Sequence, residues 1–441
     1  MPCAALLVAF VLQQHLQQHL QQQVLLPELP TVRSPVTIAA ATTPDGRDEY
    51  VYDGHPVAPV IHVRPGERLH VALIDSMSVP SREPCVSDPC RQVTNLHFHG
   101  MHVSPRDSAD NILDLLARPG DTLHYTVDIP RDHPPGLFWY HPHPHGESDR
   151  QVDDGMSGAI VVDGIDSVAP EVRGLRERVL VFRAWRDEWT LNGVTRPAID
   201  ISPGERQFWR VVNASGDDFL DLELDTAQHV VWHIVALDGE PAPGRLTTHV
   251  HIPPGGRVEA IVTGPSTRTV LRTRGVDTGP DGDPDPPAIL ADIIPGTTPR
   301  PTPAPRSRDT QPRPIPAAAL AAAHTAPEAV VTFTEDHNGF YINGRKFDHE
   351  AGPMFTVRVG SFAHWKVVNS TDEIHPFHIH QVHFLTLGDD PTWLDTVTIP
   401  PYSSIDVVLD ATNPVIRGRS VFHCHMLRHE DKGMMAEVLF K

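Results

Sequence analysis

One stretch of this chain is written three times. The first copy, YDGHPVAPVIHVRPGERLHVALIDS, runs from Tyr52 to Ser76, and the second, LNGVTRPAIDISPGERQFWRVVNAS, from Leu191 to Ser215. The third, YINGRKFDHEAGPMFTVRVGSFAHWKVVNST, starts at Tyr341 and has a longer middle. In each, a turn glycine (Gly54, Gly193, Gly344) precedes a strand-like run, and a second one (Gly66, Gly204, Gly360) follows it. Nine residues later Asp75, Asn213 or Asn369 closes a β-branched or apolar run. Turn signals alternating with short Val/Ile-rich runs mark β-sandwiches, and a unit recurring along a chain is one domain used repeatedly. The expectation is all-β, three sandwich domains in tandem, and 441 residues at roughly 150 per domain agree with it.

The repeat sets the expected boundaries: a first domain over 36–166, a second over 173–294 and a third over 329–441. Between the last two, residues 295–328 form a linker that begins PGTTPRPTPAPRSRDTQPRPIP. Such a segment cannot build a sheet and should run as an extended strap, with Ala317–Ala323 adding a helical turn. Residues 1–35 are expected to be a leader or a disordered segment. Cys3–Leu12 (CAALLVAFVL) has the apolarity of a signal-peptide core, but no Lys or Arg precedes it, and QQHLQQHLQQQ follows in place of a clean cleavage site. Ten apolar residues are too few to span a bilayer, so no transmembrane span is expected. Cys85 and Cys90 are close enough to bridge a small loop in an oxidising compartment, or to stay as thiols in a reducing one. The 36 Lys and Arg against 56 Asp and Glu leave a formal charge of −20, which argues against nucleic acid or an anionic membrane as partner.

Histidine is the anomaly. The chain has 28, many of them packed into LHFHG (Leu96–Gly100), WYHPHPHG (Trp139–Gly146), HPFHIH (His375–His380) and HCHMLRHEDKGMM (His423–Met435). Residues two apart on a strand share a face and neighbours oppose. His97 and His99 therefore point together, as do His141 and His143, His378 and His380, and His423 and His425. Cys424 points the other way, and His375, three before His378, has the parity to join it. Parity thus sorts the ligands into two sites. One holds Cys424, His375 and His429, with Met434 ten residues past the Cys; a thiolate, two imidazoles and a weak thioether make a blue-copper electron-transfer site. The other collects eight imidazoles, which fits several coppers and no single ion, whereas a hard cation would want carboxylates.

The four runs resemble the signature motifs of multicopper oxidases, in their usual order, and the resemblance covers nearly all of the chain from Val36 onward. The tail is most similar to bacterial spore-coat laccases and bilirubin oxidases. The resemblance implies cupredoxin-like Greek-key domains, four copper ions, O₂ as electron acceptor and a small reducing substrate. It implies a mononuclear blue copper on His375, Cys424, His429 and Met434, and a cluster whose single copper sits on His97 and His378. The coupled pair would use His99, His141 and His425 for one ion and His143, His380 and His423 for the other. Asp110 and Glu430 match acids that lead protons inward, Glu430 near the passage from solvent; the plain alternative for each is a loop carboxylate.

Other residues carry blander expectations. The middle domain should hold no copper, which makes His229 and His233 core or surface residues. His145 is the less favoured member of the HPHPH run, His102 and His383 are support or surface residues, and Met101, Met156 and Met354 pack. The donor stays open between phenols or aromatic amines and a metal ion (Cu(I), Fe(II) or Mn(II)), with a non-enzymatic copper protein as a third option. Eight Met without a cluster weaken Cu(I), since soft thioethers select that ion, and the complete ligand set argues against the third option. A periplasmic or secreted monomer is expected.

Overall fold

The computed structural model describes residues 24–78, 93–186, 188–225, 230–242, 245–296 and 312–441. Three pairs of sheets succeed one another along the chain. In the first pair, one sheet runs Asp48–Val51, Val36–Thr42, Arg68–Ser76, Thr122–Asp128. The facing sheet runs Thr31–Arg33, Val60–Val63, Gly158–Val162, Gly136–His141, His97–His99. The second pair draws its strands from between Arg176 and Ile294, and the third from between Ala329 and Phe440. Each pair closes on its own apolar core: Ile38, Leu73 and Phe98 in the first, Trp209, Leu222 and Trp232 in the second, Phe333, Trp365 and Phe422 in the third. The chain is all-β in three tandem sandwiches.

The threefold repeat reappears in strand register and turn geometry. Val36–Thr42 lies parallel to Arg68–Ser76, Arg176–Trp185 to Arg206–Asn213, and Ala329–Asp336 to Ser361–Asn369. The first turn of each copy has two consecutive positive φ angles: 49° and 76° at Asp53–Gly54, 51° and 80° at Asn192–Gly193, 52° and 72° at Asn343–Gly344. A tight hairpin turn of that hand needs both residues in the left-handed region, and Asx-Gly is the pair that tolerates it. At the closing position, Asn213 Oδ1 accepts from Ser215 N and Oγ at 3.2 and 2.7 Å. Asn369 Oδ1 accepts from Thr371 N and Oγ1 at 3.0 and 2.8 Å. These side chains stand in for backbone partners and fix the exit from the strand.

Ala317–Ala323 is a helix, and its buried Ala319 packs with Leu385, Trp393 and Val408. Just before it, Arg313 donates to Glu240 at 2.6 Å and to Asp410, and lies over the Trp393 ring at 4.0 Å. The end of the proline-rich segment is thereby tied to both the second and the third sandwich. Residues 1–23, Cys85, Cys90, His229 and 297–311 lie outside the described residues. No helix among the described residues is long and apolar enough to cross a membrane.

Candidate metal centre

The histidine runs sit at strand ends where the first and third sandwiches meet. Register sets the pairs: His97 lies opposite His141, and His378 opposite His423. The strands stop at His141, Ile379 and Cys424, so His143, His380 and His425 stand just past them and fold back onto the same pocket. None of the eight rings is more than 1% exposed.

Eight ring nitrogens converge in three sets. In one, His423 Nε2 lies 3.2 Å from His143 Nε2 and 3.1 Å from His380 Nε2. In the second, His99 Nδ1 lies 3.2 Å from His425 Nε2, with His141 completing the group. His97 and His378 bring bare Nε2 atoms to the third. Three of the far nitrogens are held by main-chain carbonyls: His378 Nδ1 donates to that of Asp395 at 2.8 Å, His141 Nδ1 to that of Pro142 at 2.9 Å, and His423 Nδ1 to that of Cys424 at 2.8 Å. A ring that donates through one nitrogen presents the other as a lone pair, the tautomer a metal requires. Burial pushes His97, His99, His143, His380, His423 and His425 well below the imidazole range and His141 to about 3, which keeps those seven neutral.

The donor set fits copper. His97, His141 and His378 each leave Nε2 buried with no hydrogen-bond partner, and an unsatisfied buried polar atom costs about 1–3 kcal/mol. A cluster of neutral imidazoles recovers that cost by binding a borderline metal.

The second site lies on the other face of Cys424, as parity requires. Cys424 Sγ is 3.5 Å from His375 Nδ1 and 3.9 Å from His429 Nδ1, and those two nitrogens are 3.3 Å apart. Thr371 Oγ1 accepts from His375 Nε2–H at 2.8 Å, and Phe340 stacks on His429 at 3.9 Å. Met434 is fully buried in the apolar cluster that contains Cys424, while Met435 packs with Ile112 and Val421. Burial pushes the Cys424 thiol well up, so its thiolate forms as a metal displaces the proton.

Both sequence-predicted acids touch the pocket. Asp110 accepts from His97 Nδ1–H at 3.0 Å, from Phe98 N at 3.0 Å and from Gln381 Nε2 at 2.6 Å, and burial pushes it up to about 7. Glu430 is fully buried. The helix Leu427–Asp431 packs against Ser148–Asp154, which brings Glu430 to 3.6 Å from His143 Nδ1 and 3.8 Å from His423 Nδ1. Burial raises its carboxyl well above the usual range.

The remaining residues sit outside the ligand sets. His145 faces Phe347, outside the pocket. His102 and His383 are bonded to each other, and His383 Nε2 donates to the Asp238 carbonyl at 2.7 Å. Met101 and Met156 pack in the first core. Sequence reasoning missed Arg257 and Asp395, which meet behind His99; no motif or spacing announces either.

Multicopper oxidase family models match residues 37–167 and 321–441, together more than half of the chain. The chain belongs to the multicopper oxidase family. It is 22% identical to the multicopper oxidase mco of Staphylococcus haemolyticus, covering 88% of this chain and 83% of the relative. It is 24% identical to a laccase of Haloferax volcanii, covering 87% and 76%. In fold it resembles the Campylobacter jejuni multicopper oxidase described as a metallo-oxidase: TM-score 0.73, 20% identity, 96% of this chain and 98% of that one. The oxidase is therefore a copper enzyme that passes electrons from a reducing substrate to O₂.

Proposed function

We propose that His375, Cys424, His429 and Met434 hold one copper and that His97, His99, His141, His143, His378, His380, His423 and His425 hold three. The supporting observation is the convergence of bare ring nitrogens in three buried sets beside the Cys424 site. The three domains are 36–166, extended by the edge strand Thr31–Arg33, 173–294 and 329–441, with 295–328 as linker. Copper, when bound, supplies one-electron chemistry at Cys424 and the four-electron reduction of O₂ to water at the histidine pocket. Cys424 joins the two sites covalently, because its neighbours His423 and His425 both belong to the pocket. Asp110, bonded to His97 Nδ1, and Glu430, within 4 Å of His143 and His423 Nδ1, are the carboxyls placed to exchange protons at the pocket wall. The oxidase is periplasmic or secreted, and monomeric.

Phenols and aromatic amines are the donors the motifs suggest. One observation favours the metal-ion alternative: a cavity of about 410 Å³ over His429, lined by Asp281, Asp283, Glu335, Asp336, Asp372 and Glu373. Glu373 forms its floor, 4% exposed, with Oε1 unpaired by any hydrogen bond and 3.4 Å from His429 Nε2. Carboxylates suit a hard cation such as Fe(II) or Mn(II); a Cu(I) site would want thioethers, and no Met is among the described residues lining this cavity. Steady-state rates for a phenol, Fe(II), Mn(II) and Cu(I) on the copper-loaded wild type and Glu373→Gln decide between them. The metal reading expects Fe(II) or Mn(II) to be preferred, and the variant to lose about tenfold for that ion alone. A faster phenol reaction, with the cation rate indifferent to Glu373→Gln, returns the donor to aromatics.

A further inference from the structure

The middle sandwich supplies none of the proposed ligands, yet it reaches their pocket. Arg257, first residue of the strand Arg257–Thr263, is 1% exposed. All five of its side-chain N–H groups find acceptors. Nη1 donates to Asp395 Oδ1 at 2.7 Å and to the Gly255 carbonyl at 3.2 Å. Nη2 donates to Asp395 Oδ2 at 2.5 Å and to the Asp238 carbonyl at 3.0 Å, and Nε to the Leu137 carbonyl at 3.4 Å. Leu137 belongs to the strand that ends at His141, Asp238 and Gly255 to the middle sandwich, and Asp395 to the third. One guanidinium thus joins all three.

Asp395 transmits this to the ligands. Its Oδ1 lies 3.3 Å from His99 Nε2, and its main-chain carbonyl accepts from His378 Nδ1 at 2.8 Å. A guanidinium is always charged and grips a carboxylate with two parallel N–H groups, so Asp395 is an acceptor only and the hydrogen sits on His99 Nε2. Nδ1 is left bare, 3.2 Å from His425 Nε2. His99 is the exception in the pocket: His97, His141 and His378 leave Nε2 bare, and His143, His380, His423 and His425 bring Nε2 to their neighbours. Two glycines allow the approach. A Cβ on Gly100 would overlap Arg257 Nη2 and lie 2.5 Å from Asp395 Oδ2; one on Gly255 would lie 2.6 Å from His425 Nε2. Both have left-handed φ, 81° and 78°.

We propose that Arg257 is a positioning residue, contributed by the middle sandwich, that acts through Asp395 to select Nδ1 of His99 as the metal-binding nitrogen. The inference rests on the copper assignment above. Its test compares wild type, Arg257→Gln and Arg257→Lys after copper loading, reading copper per chain, blue absorbance, the fraction of copper visible by electron paramagnetic resonance, and O₂ uptake. A crystal structure of the loaded wild type reads the ligating atom of His99 directly. Arg257→Gln should keep its blue band and its anaerobic reduction by donor. It should lose cluster copper or show new resonance signal from an uncoupled ion, with O₂ uptake down about tenfold to a hundredfold. Arg257→Lys keeps the charge but has three donors for five acceptors, and should fall between the two. Gly100→Ala, which displaces the guanidinium without removing it, should reproduce the resonance change. Wild-type copper content and a silent pair in Arg257→Gln overturn the proposal, as does His99 bound through Nε2 in the loaded wild type. Should Arg257→Gln not fold, Arg257→Lys decides: wild-type signal and O₂ uptake there would reduce Arg257 to a buried charge. A wild type that takes up no copper would instead sink the copper assignment itself.

Discussion

The second and third sandwiches share a turn and differ in the strand it leads into. Asn213 with Ser215, and Asn369 with Thr371, make the same side-chain bonds at the same place in the repeat. In the third, the Thr371 hydroxyl also accepts from His375, and the next strand, His375–Ile379, carries imidazoles. In the second, the corresponding strand, Leu220–Leu224, buries Leu220, Leu222 and Leu224. A sandwich asks its strands for alternating inward side chains; Leu220 and Leu222 meet that demand in the second, Phe377 and Ile379 in the third, and His378 takes the other face. The metal ligands are an overlay on a fold whose turns and cores do not need them.

If the ligands are an overlay, removing one should abolish chemistry and spare structure. Cys424→Ser is the strongest case, because the side chain stays nearly the same size while a hydroxyl is a poor soft-metal ligand. The blue absorbance and oxidase activity should both vanish, with a cooperative thermal transition retained. A blue band that persists would move the mononuclear site elsewhere; loss of the fold would mean that the third sandwich depends on its metal.

A smaller effect is expected from the pocket acids. Glu430→Gln keeps shape and hydrogen bonding but cannot exchange a proton. Copper content and blue absorbance should be normal, while O₂ consumption falls about tenfold or more, the usual size of a general acid–base contribution. Asp110→Asn should behave likewise, and the double variant should be slower than either. Anaerobic reduction of the blue site should stay unchanged in all three. Wild-type turnover in Glu430→Gln would leave the relay to Asp110, beside His97.

The difference between the two sandwiches was largely legible in the sequence, because strand period is two and four motifs kept their parity. Cys424 between His423 and His425 could point only one way, and His375 fell on its side. The features that stayed hidden depend on closeness between distant segments. The burial of Glu430 comes from packing of Leu427–Asp431 on Ser148–Asp154, far apart in the chain. The acidic cavity gathers carboxylates from three separate loops around Asp283, Asp336 and Asp372, each of which reads alone as a solvated turn. Arg257 has no pattern around it, since its five acceptors come from three sandwiches.

Met434→Leu probes the proposed thioether ligand with a subtler change. A thioether donates electron density and stabilises the oxidised ion, so an apolar replacement should raise the reduction potential of the blue site. Potentiometric titration of the blue band reads it, with copper content unchanged. Met434 shares the apolar cluster of Cys424, and Met435 faces Ile112 instead. A potential that moves in Met435→Leu and not in Met434→Leu would reverse that choice.

The smallest effect belongs to the middle sandwich, and it is the sharpest check on the comparison. His233 lies in the strand Trp232–Leu237, opposite Ile261 and Leu246. Its neighbours Trp232 and Ile234 are buried in the core, while His233 itself is partly exposed. Alternation therefore turns its ring away from the core, and it belongs to none of the three histidine sets of the pocket. His233→Ala should leave copper per chain and O₂ uptake unchanged and move stability by no more than about 0.5 kcal/mol, the range of surface substitutions. Arg257, on a strand paired directly with this one, should by contrast change the cluster when replaced. The two variants differ in one respect that matters: Arg257 reaches Asp395 and His233 does not. If His233→Ala costs a whole copper, the middle sandwich holds a ligand of its own, and the overlay of ligands is not confined to the first and third.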